Sequence, residues 1–240
     1  MDSATNAATL RRASLAAFAL LTSLCVLTLL SGVSQQGFEW VHPPATYAEA
    51  LRRDSGWLRA IVALDDLFVA AYVTATVLLA TSLAAGRWQV WHTLIAAGGV
   101  AAGLLDLEEN HHLLALARAA EASLPIELEE IVGRSVRSQL KWLIGHLTFV
   151  FVGLSLQGQS RIARVLRVSL IAWQLPVGAL TWTVAVEPWQ PLLVWLRYAS
   201  FLAGFASIAW LSRGGELLGR THAPAPLASE PGEADSGAPG

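Results

Sequence analysis

The sequence predicts an all-α protein, a polytopic bundle of about six transmembrane helices. Of its 240 residues, 54% are hydrophobic and only 14% are charged, whereas a soluble domain has about 25% charged residues. The mean hydropathy of the chain is +0.50. The apolar residues also gather into runs near the ~20 residues that a helix needs to cross a bilayer. Runs of this length are too long for the strands of a membrane barrel.

Each predicted span is an apolar run bounded by polar residues or by a turn. The first run follows Arg11 and Arg12, and we expect it to stay as an anchor because no small-residue cleavage site follows it. The fifth run contains Pro176, which predicts a kink. The six spans are predicted at residues 13–33, 58–85, 90–114, 140–156, 168–186 and 192–211.

The connections between the spans differ in length and charge. Residues 34–57 form the longest hydrophilic connection, with a short surface helix expected near its end. Residues 157–167 are predicted to be a basic loop. The whole transmembrane domain is predicted to cover residues 1–212. Residues 213–240, rich in Pro, Gly, Ala and acidic residues, are predicted to be a disordered tail.

The distribution of arginine predicts how the chain lies in its membrane. Basic residues near span ends favour the cytoplasmic side. Basic residues before span one and before span five share one side if both termini are cytoplasmic: Arg11, Arg12, Arg161, Arg164 and Arg167. Others would then lie on the opposite side: Arg52, Arg53, Arg118, Arg134 and Arg137. We predict a multi-pass protein of the bacterial inner membrane, with both termini cytoplasmic and with lipid as its main partner. The net charge of −2 gives no sign of a nucleic-acid partner. No motif specifies a cofactor.

The segment "GLLDLEENHHLL" places a dense polar group inside an apolar span. Asp106, Glu109 and Asn110 fall at positions i, i+3 and i+4, so they share one face of a helix. The same face carries Gly103 one turn earlier and Gly99 two turns earlier. Small residues at this spacing let a second helix approach closely. We therefore expect this face to point into the bundle.

Two further charges are predicted to reach the same depth from neighbouring spans. Asp65 continues a weakly polar face toward Tyr72, which favours it over Asp66 as the inward carboxylate. Lys141, the only lysine of the chain, shares a face with small residues of the fourth span. Charged residues in a span usually face the bundle interior and mark ion or substrate paths. The predicted ligand-binding residues are Asp65, Asp106, Glu109, Asn110 and Lys141.

Because acids outnumber bases in this group, we expect it to bind or relay a proton, a cation or a small polar ligand. Two alternatives remain open. The charges could form a purely structural ion network that fixes which helices are neighbours. The protein could also be a metal-dependent membrane enzyme, because "EENHH" contains two overlapping E-x-x-H pairs. Its candidate metal ligands are Glu108, His111 and His112, although di-iron bundles need such a pair on each of two helices.

The segments "LDDLFVAAY", "GLLDLEENHHLL" and "QLKWLIGHL" together resemble a pattern found in small multispanning bacterial integral membrane proteins of unknown function. Those proteins pair an early "LD" helix with an "LD-x-x-EN" helix and a later lysine-bearing helix. The resemblance covers spans two to four. It implies that Asp65, Asp106, Glu109, Asn110 and Lys141 match the pattern, and it implies no activity or cofactor. The sequence thus leaves open whether the protein is an enzyme.

Overall fold

The computed structural model describes residues 3–84, 89–183, 189–213 and 217. In this part of the chain the protein is helical and contains no strand, which confirms the predicted all-α class. A short 3₁₀ helix spans Gln35–Phe38. The α-helices are α1 Ser3–Ser31, α2 Pro44–Ala84, α3 Val90–Glu121, α4 Leu128–Ser155, α5 Arg161–Ala172, α6 Gln174–Thr183 and α7 Trp189–Leu211.

Five helical segments of the described chain are long and apolar enough to cross a membrane. The chain is therefore a multi-pass helical membrane protein. Helix α4, which contains the predicted span 140–156, is not among the five. Helices α5 and α6 together supply one of them. The five segments are Thr5–Ser31, Pro44–Ala84, Val90–Glu121, Arg161–Thr183 and Trp189–Leu211.

Helix α2 is much longer than the sequence predicted. It begins at Pro44 and continues for 41 residues. The helix expected near the end of residues 34–57 is therefore present, but it starts at residue 44, is continuous with span two and buries one face. Proline suits the first position of a helix, where its missing N–H has no partner in any case. At 1.5 Å per residue the helix is about 60 Å long, about twice the hydrocarbon thickness of a bilayer. Its first turns persist because Tyr47, Leu51 and Leu58 are buried.

Helices α3 and α4 extend in the same way and pack against the start of α2. Helix α3 continues to Glu121 and α4 begins at Leu128, so the connection between them covers only residues 122–127. Leu113, Ala117 and Ile131 form one hydrophobic cluster with the buried residues of the α2 extension. This tertiary packing keeps polar-faced segments helical where local composition favours a loop.

Of the predicted basic loop at residues 157–167, residues 157–160 form the connection but residues 161–167 belong to helix α5. Ser160 caps α5, because its hydroxyl accepts a hydrogen bond from the backbone N–H of Ala163, as an N-cap serine does. Leu166 and Leu170 bury one face of α5. The helix of this span breaks at Trp173, one turn before Pro176, which is where a proline kink is expected to interrupt the backbone hydrogen bonds. Pro176 itself lies in the first turn of α6, where proline is tolerated.

Some predicted features lie outside the described residues. These are the turn before α3, the last residues of span five and nearly all of the tail from residue 213 onward. Within the described chain, α2 packs between α1 and α3, α3 packs on α4, and α1 packs on α7. The bundle therefore surrounds a central space bordered by α1, α2, α3, α4 and α7.

Close packing of α2 on α3 depends on glycine, as the small-residue spacing predicted. A Cβ atom on Gly99 would lie 2.6 Å from Thr76 Cγ2, and one on Gly103 would meet Val73 Cγ2. Both neighbours are β-branched, so their side chains have little freedom to move aside. The approach of these two helices brings Asp65 and Tyr72 of α2 beside the polar face of α3.

The variant Gly99→Ala is expected to lose about 1–3 kcal/mol of unfolding free energy, because overpacking forces Thr76 or the backbone to shift. The matched control is Gly204→Ala in α7, where an added Cβ has no neighbour within 4 Å. Alanine should be neutral or stabilising there through its higher helix propensity. Thermal unfolding of both variants in detergent checks this, and equal melting temperatures would contradict the close packing.

Candidate functional site

The structure brings the five predicted side chains of α2, α3 and α4 together. The ammonium of Lys141 lies 2.9 Å from Asp106 Oδ1 and 2.6 Å from Glu109 Oε2. The side-chain amide of Asn110 donates to Asp65 Oδ2 at 2.8 Å. We call these five residues, together with Glu39, Tyr72 and Arg134, the polar cluster. It lies near the level at which the helical extensions, at the start of α2, the end of α3 and the start of α4, meet the predicted spans.

Lys141 is the cation shared by the polar cluster. Its side chain is 7% exposed, and a third carboxylate, Glu39, lies 3.6 Å from its ammonium. A compact ammonium with three donors can serve several acids at once, whereas a guanidinium favours one planar carboxylate. Asp106 is fully engaged, because its second oxygen accepts from the hydroxyl of Tyr72 at 3.1 Å.

Glu109 is held by a second buried cation, Arg134 of α4. Arg134 is completely buried, and its Nη2 donates to Glu109 Oε1 at 3.0 Å. Its Nη1 donates to the backbone oxygen of Glu109 at 2.7 Å, and its Nε donates to the backbone oxygen of Phe38 at 3.1 Å. Sequence reasoning missed this residue and treated it as a charge of a connection. The available signal was helical spacing, since Arg134, Ser138 and Lys141 share one face of α4.

Asn110 joins both aspartates of α2. Its Nδ2 donates to Asp65 and to Asp66, each at 2.8 Å, and its Oδ1 accepts from Gln35. Two carboxylate acceptors fix which amide atom is the nitrogen. Asp66 also lies 3.9 Å from the exposed His111, whereas Asp65 lines the central cavity. The two aspartates therefore share one neutral partner but face different surroundings.

Two buried charges that the sequence reasoning missed come from the first connection and from α7. Glu39 is 4% exposed, and its Oε2 accepts from Trp142 Nε1 at 3.1 Å. Arg197 is fully buried; its Nη2 donates to Gln36 Oε1 at 2.5 Å. Its guanidinium also stacks 3.5 Å from the ring of Trp142. Residues 35–39 therefore fold back onto the bundle rather than forming a surface loop.

A cavity of about 120 Å³ adjoins the polar cluster in the centre of the bundle. One wall is polar and the other is aromatic. The polar wall is formed by Gln35, Gln36, Glu39, Asp65, Asp106 and Lys141, and the aromatic wall by Phe68, Tyr72, Phe149, Tyr198, Phe201 and Phe205.

Asp65 differs from the other carboxylates of the polar cluster. Asp106, Glu109 and Glu39 all have the ammonium of Lys141 within 4.0 Å. In the part of the chain that the structure describes, no Lys, Arg or His nitrogen lies within this distance of Asp65. Its hydrogen-bond donor is the neutral amide of Asn110. The cavity is thus bordered by a carboxylate that, among the described residues, has no cation within 4.0 Å.

No protein family, curated protein or solved structure matches this chain. The resemblance of its "LD", "LD-x-x-EN" and lysine segments to small bacterial membrane proteins remains a prediction. The function is therefore inferred from the polar cluster and its cavity.

The three candidate metal ligands face different partners. Glu108 Oε2 lies 3.3 Å from Arg137 Nε, and His112 lies between Glu130 and Arg137, at 2.9 Å from each. The ring of His111 is largely exposed. Among the described residues, no group of three or more His, Cys, Asp or Glu side chains is placed to hold a metal ion. The geometry gives the metal-enzyme alternative no support.

The burial of Glu39 predicts a pH-dependent stability. Burial raises the pKa of Glu39 above its ordinary value, although Lys141 beside it acts in the opposite direction. The folded protein then holds this proton more tightly than the unfolded chain. The free energy of unfolding should therefore fall as pH rises from the ordinary carboxyl range through the raised value, by at most about 1.4 kcal/mol per pH unit.

The variant Glu39→Gln removes this titration but keeps an acceptor for Trp142. Melting temperatures of wild type and variant, measured in detergent from about pH 4 to about pH 8, check the effect. With rising pH, the wild type should lose stability relative to the variant. Parallel profiles would show that the raised pKa of Glu39 makes no contribution.

Proposed function

We propose that this membrane protein binds a proton, a small cation or the cationic group of a small polar ligand at Asp65. One observation carries the proposal: Asp65 lines the cavity and lacks a cation within 4.0 Å among the described residues. Asp65 is half-buried, and a carboxylate that is shielded from bulk water is costly unless it is paired or neutralised. Within membranes, such groups take up protons or hold ions.

The charge balance of the polar cluster supports the same conclusion. Four carboxylates, Glu39, Asp65, Asp106 and Glu109, share three buried cations: Lys141 and Arg134, which contact them, and Arg197, whose charge acts on Glu39. The oxygens of Asp106 and Glu109 already meet Lys141, Tyr72 or Arg134, and Glu39 meets Lys141 and Trp142. Asp65 is the one of these four carboxylates that has no cation within 4.0 Å among the described residues.

We further propose that the protein resides in a bacterial inner membrane, with the polar cluster toward the outer side. The supporting observation is the hydrophobic cluster that joins Leu10, Ala163 and Leu211. It gathers the start of α1, the start of α5 and the end of α7 at one end of the bundle. Arg11, Arg12, Arg161 and Arg164 therefore lie at that end, and the positive-inside rule assigns it to the cytoplasm.

The test compares wild type with Asp65→Asn and a matched control, Asp66→Asn. Both aspartates accept from Asn110 at 2.8 Å, but only Asp65 lines the cavity. Melting temperatures are measured in detergent as pH is varied and as sodium, potassium, magnesium or calcium chloride is added. A ligand that binds only the folded state stabilises it by about 2.7 kcal/mol at a hundred times its Kd.

The proposal expects a melting temperature that responds to proton or cation concentration in the wild type and in Asp66→Asn. In Asp65→Asn the cation response should be lost or greatly reduced, and the pH response should shrink to the part assigned to Glu39. Identical responses of wild type and Asp65→Asn under every condition would overturn the proposal.

A further inference from the structure

The cavity beside Asp65 has an apolar wall that a bare proton or metal ion would not need. Phe68 packs at 5.2 Å from Tyr72 and at 6.0 Å from Phe205, measured between ring centres. On the opposite side, Phe201 packs at 5.3 Å from Phe149. These rings line the same cavity as Asp65. An occupant that reaches Asp65 therefore also contacts aromatic surface.

The size of the cavity limits that occupant. A volume of about 120 Å³ is somewhat below the ~150 Å³ of an engineered protein cavity that binds benzene, so the apolar body of an occupant can be no larger than one small ring. Aromatic faces carry negative charge and attract organic cations placed over them. The wall thus suits a compact apolar body, and its rings add to the attraction for positive charge.

The charges around the cavity favour a cation over an anion. The ammonium of Lys141 is already shared by three carboxylates. Arg197 stacks on Trp142 and is not one of the residues that line the cavity. Asp65 is the lining carboxylate without a cationic partner in the described chain.

Taking the proposed function as its basis, we propose that the cavity binds a small organic ammonium with a compact apolar body. The ammonium donates a hydrogen bond to Asp65, and the apolar body packs against Phe68, Phe201 and Phe205. Burial of the apolar body and neutralisation of Asp65 both stabilise the complex. The hydrogen bond between the ammonium and the carboxylate is charge-assisted and therefore stronger than a neutral one.

The test uses three probes of nearly equal size and different charge: benzylammonium, benzyl alcohol and benzoate. Thermal unfolding in detergent is measured over a concentration series of each probe. Benzylammonium should raise the melting temperature of the wild type, and the other two should have much smaller effects. Asp65→Asn should weaken benzylammonium binding about ten- to hundredfold, as expected for a hydrogen bond to a charged partner. Asp66→Asn should retain it.

Cys25 provides a second readout without any substitution. It is the only cysteine of the chain, it lines the cavity and it packs with Phe68 and Phe205. Bound benzylammonium should slow the reaction of Cys25 with methyl methanethiosulfonate, measured by mass spectrometry, and benzyl alcohol at the same concentration should not. If the thiol does not react even without a probe, the thermal series decides alone.

Each outcome bears on one of the two proposals. Equal stabilisation by benzylammonium and benzyl alcohol, or stronger stabilisation by benzoate, would overturn the ammonium proposal. Absence of any probe effect would also overturn it, while a proton or inorganic-cation response that depends on Asp65 would leave the proposed function intact. If Asp65→Asn behaves as wild type toward protons, inorganic cations and all three probes, both proposals fail.

Discussion

The variant Lys141→Met is expected to lose about 3–5 kcal/mol of unfolding free energy, because removing one partner of a buried ion pair leaves uncompensated charge. The effect should be large here, since Asp106 and Glu109 both lie within 3 Å of the Lys141 ammonium. Unfolding by SDS titration in mixed micelles measures the loss. The control is Arg59→Met, which removes an exposed ion pair with Glu121 and should cost about 0–1 kcal/mol.

A double variant separates the contribution of the ion pair from that of the lysine stem. Lys141→Met leaves Asp106 and Glu39 without a cation within 4.0 Å in the described chain, whereas Glu109 keeps Arg134. Adding Asp106→Asn removes one of these two unpaired carboxylates, so part of the lost stability should return. Asparagine still offers an acceptor to Tyr72. Unchanged stability in Lys141→Met would show that the polar cluster is not assembled around this ammonium.

The second large effect is expected for Arg134→Met. Arg134 donates to Glu109 Oε1 and to the backbone oxygens of Glu109 and Phe38. Its loss leaves a buried carboxylate with one cation instead of two, and it removes a donor from two buried carbonyl groups. We expect the free energy of unfolding to fall by about 3 kcal/mol or more, since breaking a buried charge pair costs this much.

The control for this variant is Arg137→Met, one turn further along α4. Arg137 is about one-third exposed and pairs with Glu108, so its loss should cost at most about 1 kcal/mol. SDS titration of the two variants side by side measures the difference. Equal losses would contradict the role of Arg134 as the buried link between α3, α4 and the 3₁₀ helix.

The positions of Asp65, Asp106, Glu109, Asn110 and Lys141 were predictable because helical geometry alone sets which residues share a face. Their depth followed from reading three neighbouring spans together. Contacts between the spans were harder to predict from the sequence. Asn110 donates to both Asp65 and Asp66, and helical spacing alone could not show that only Asp65 lines the cavity.

Glu39 and Arg134 were missed because long hydrophilic segments have no local signal for burial. Residues 35–39 fold back onto the bundle through contacts with Arg134, Trp142 and Arg197, which come from two distant helices. Arg197 did have a signal, because a lone arginine within an apolar span usually faces the interior. The early start of α2 at Pro44 likewise depends on packing against α3 and α4, which no local propensity reveals.

Asp65 faces the cavity with no cation within 4.0 Å in the described chain, so we expect it to be neutralised by a proton or by a bound cation. Infrared spectroscopy of the purified protein at neutral pH, without added cations that bind it, tests this directly through the carbonyl band of a protonated carboxyl group. The wild type and Asp66→Asn should show a band that is missing from Asp65→Asn and that weakens when a cation occupies the cavity. A spectrum unchanged by Asp65→Asn would contradict the claim.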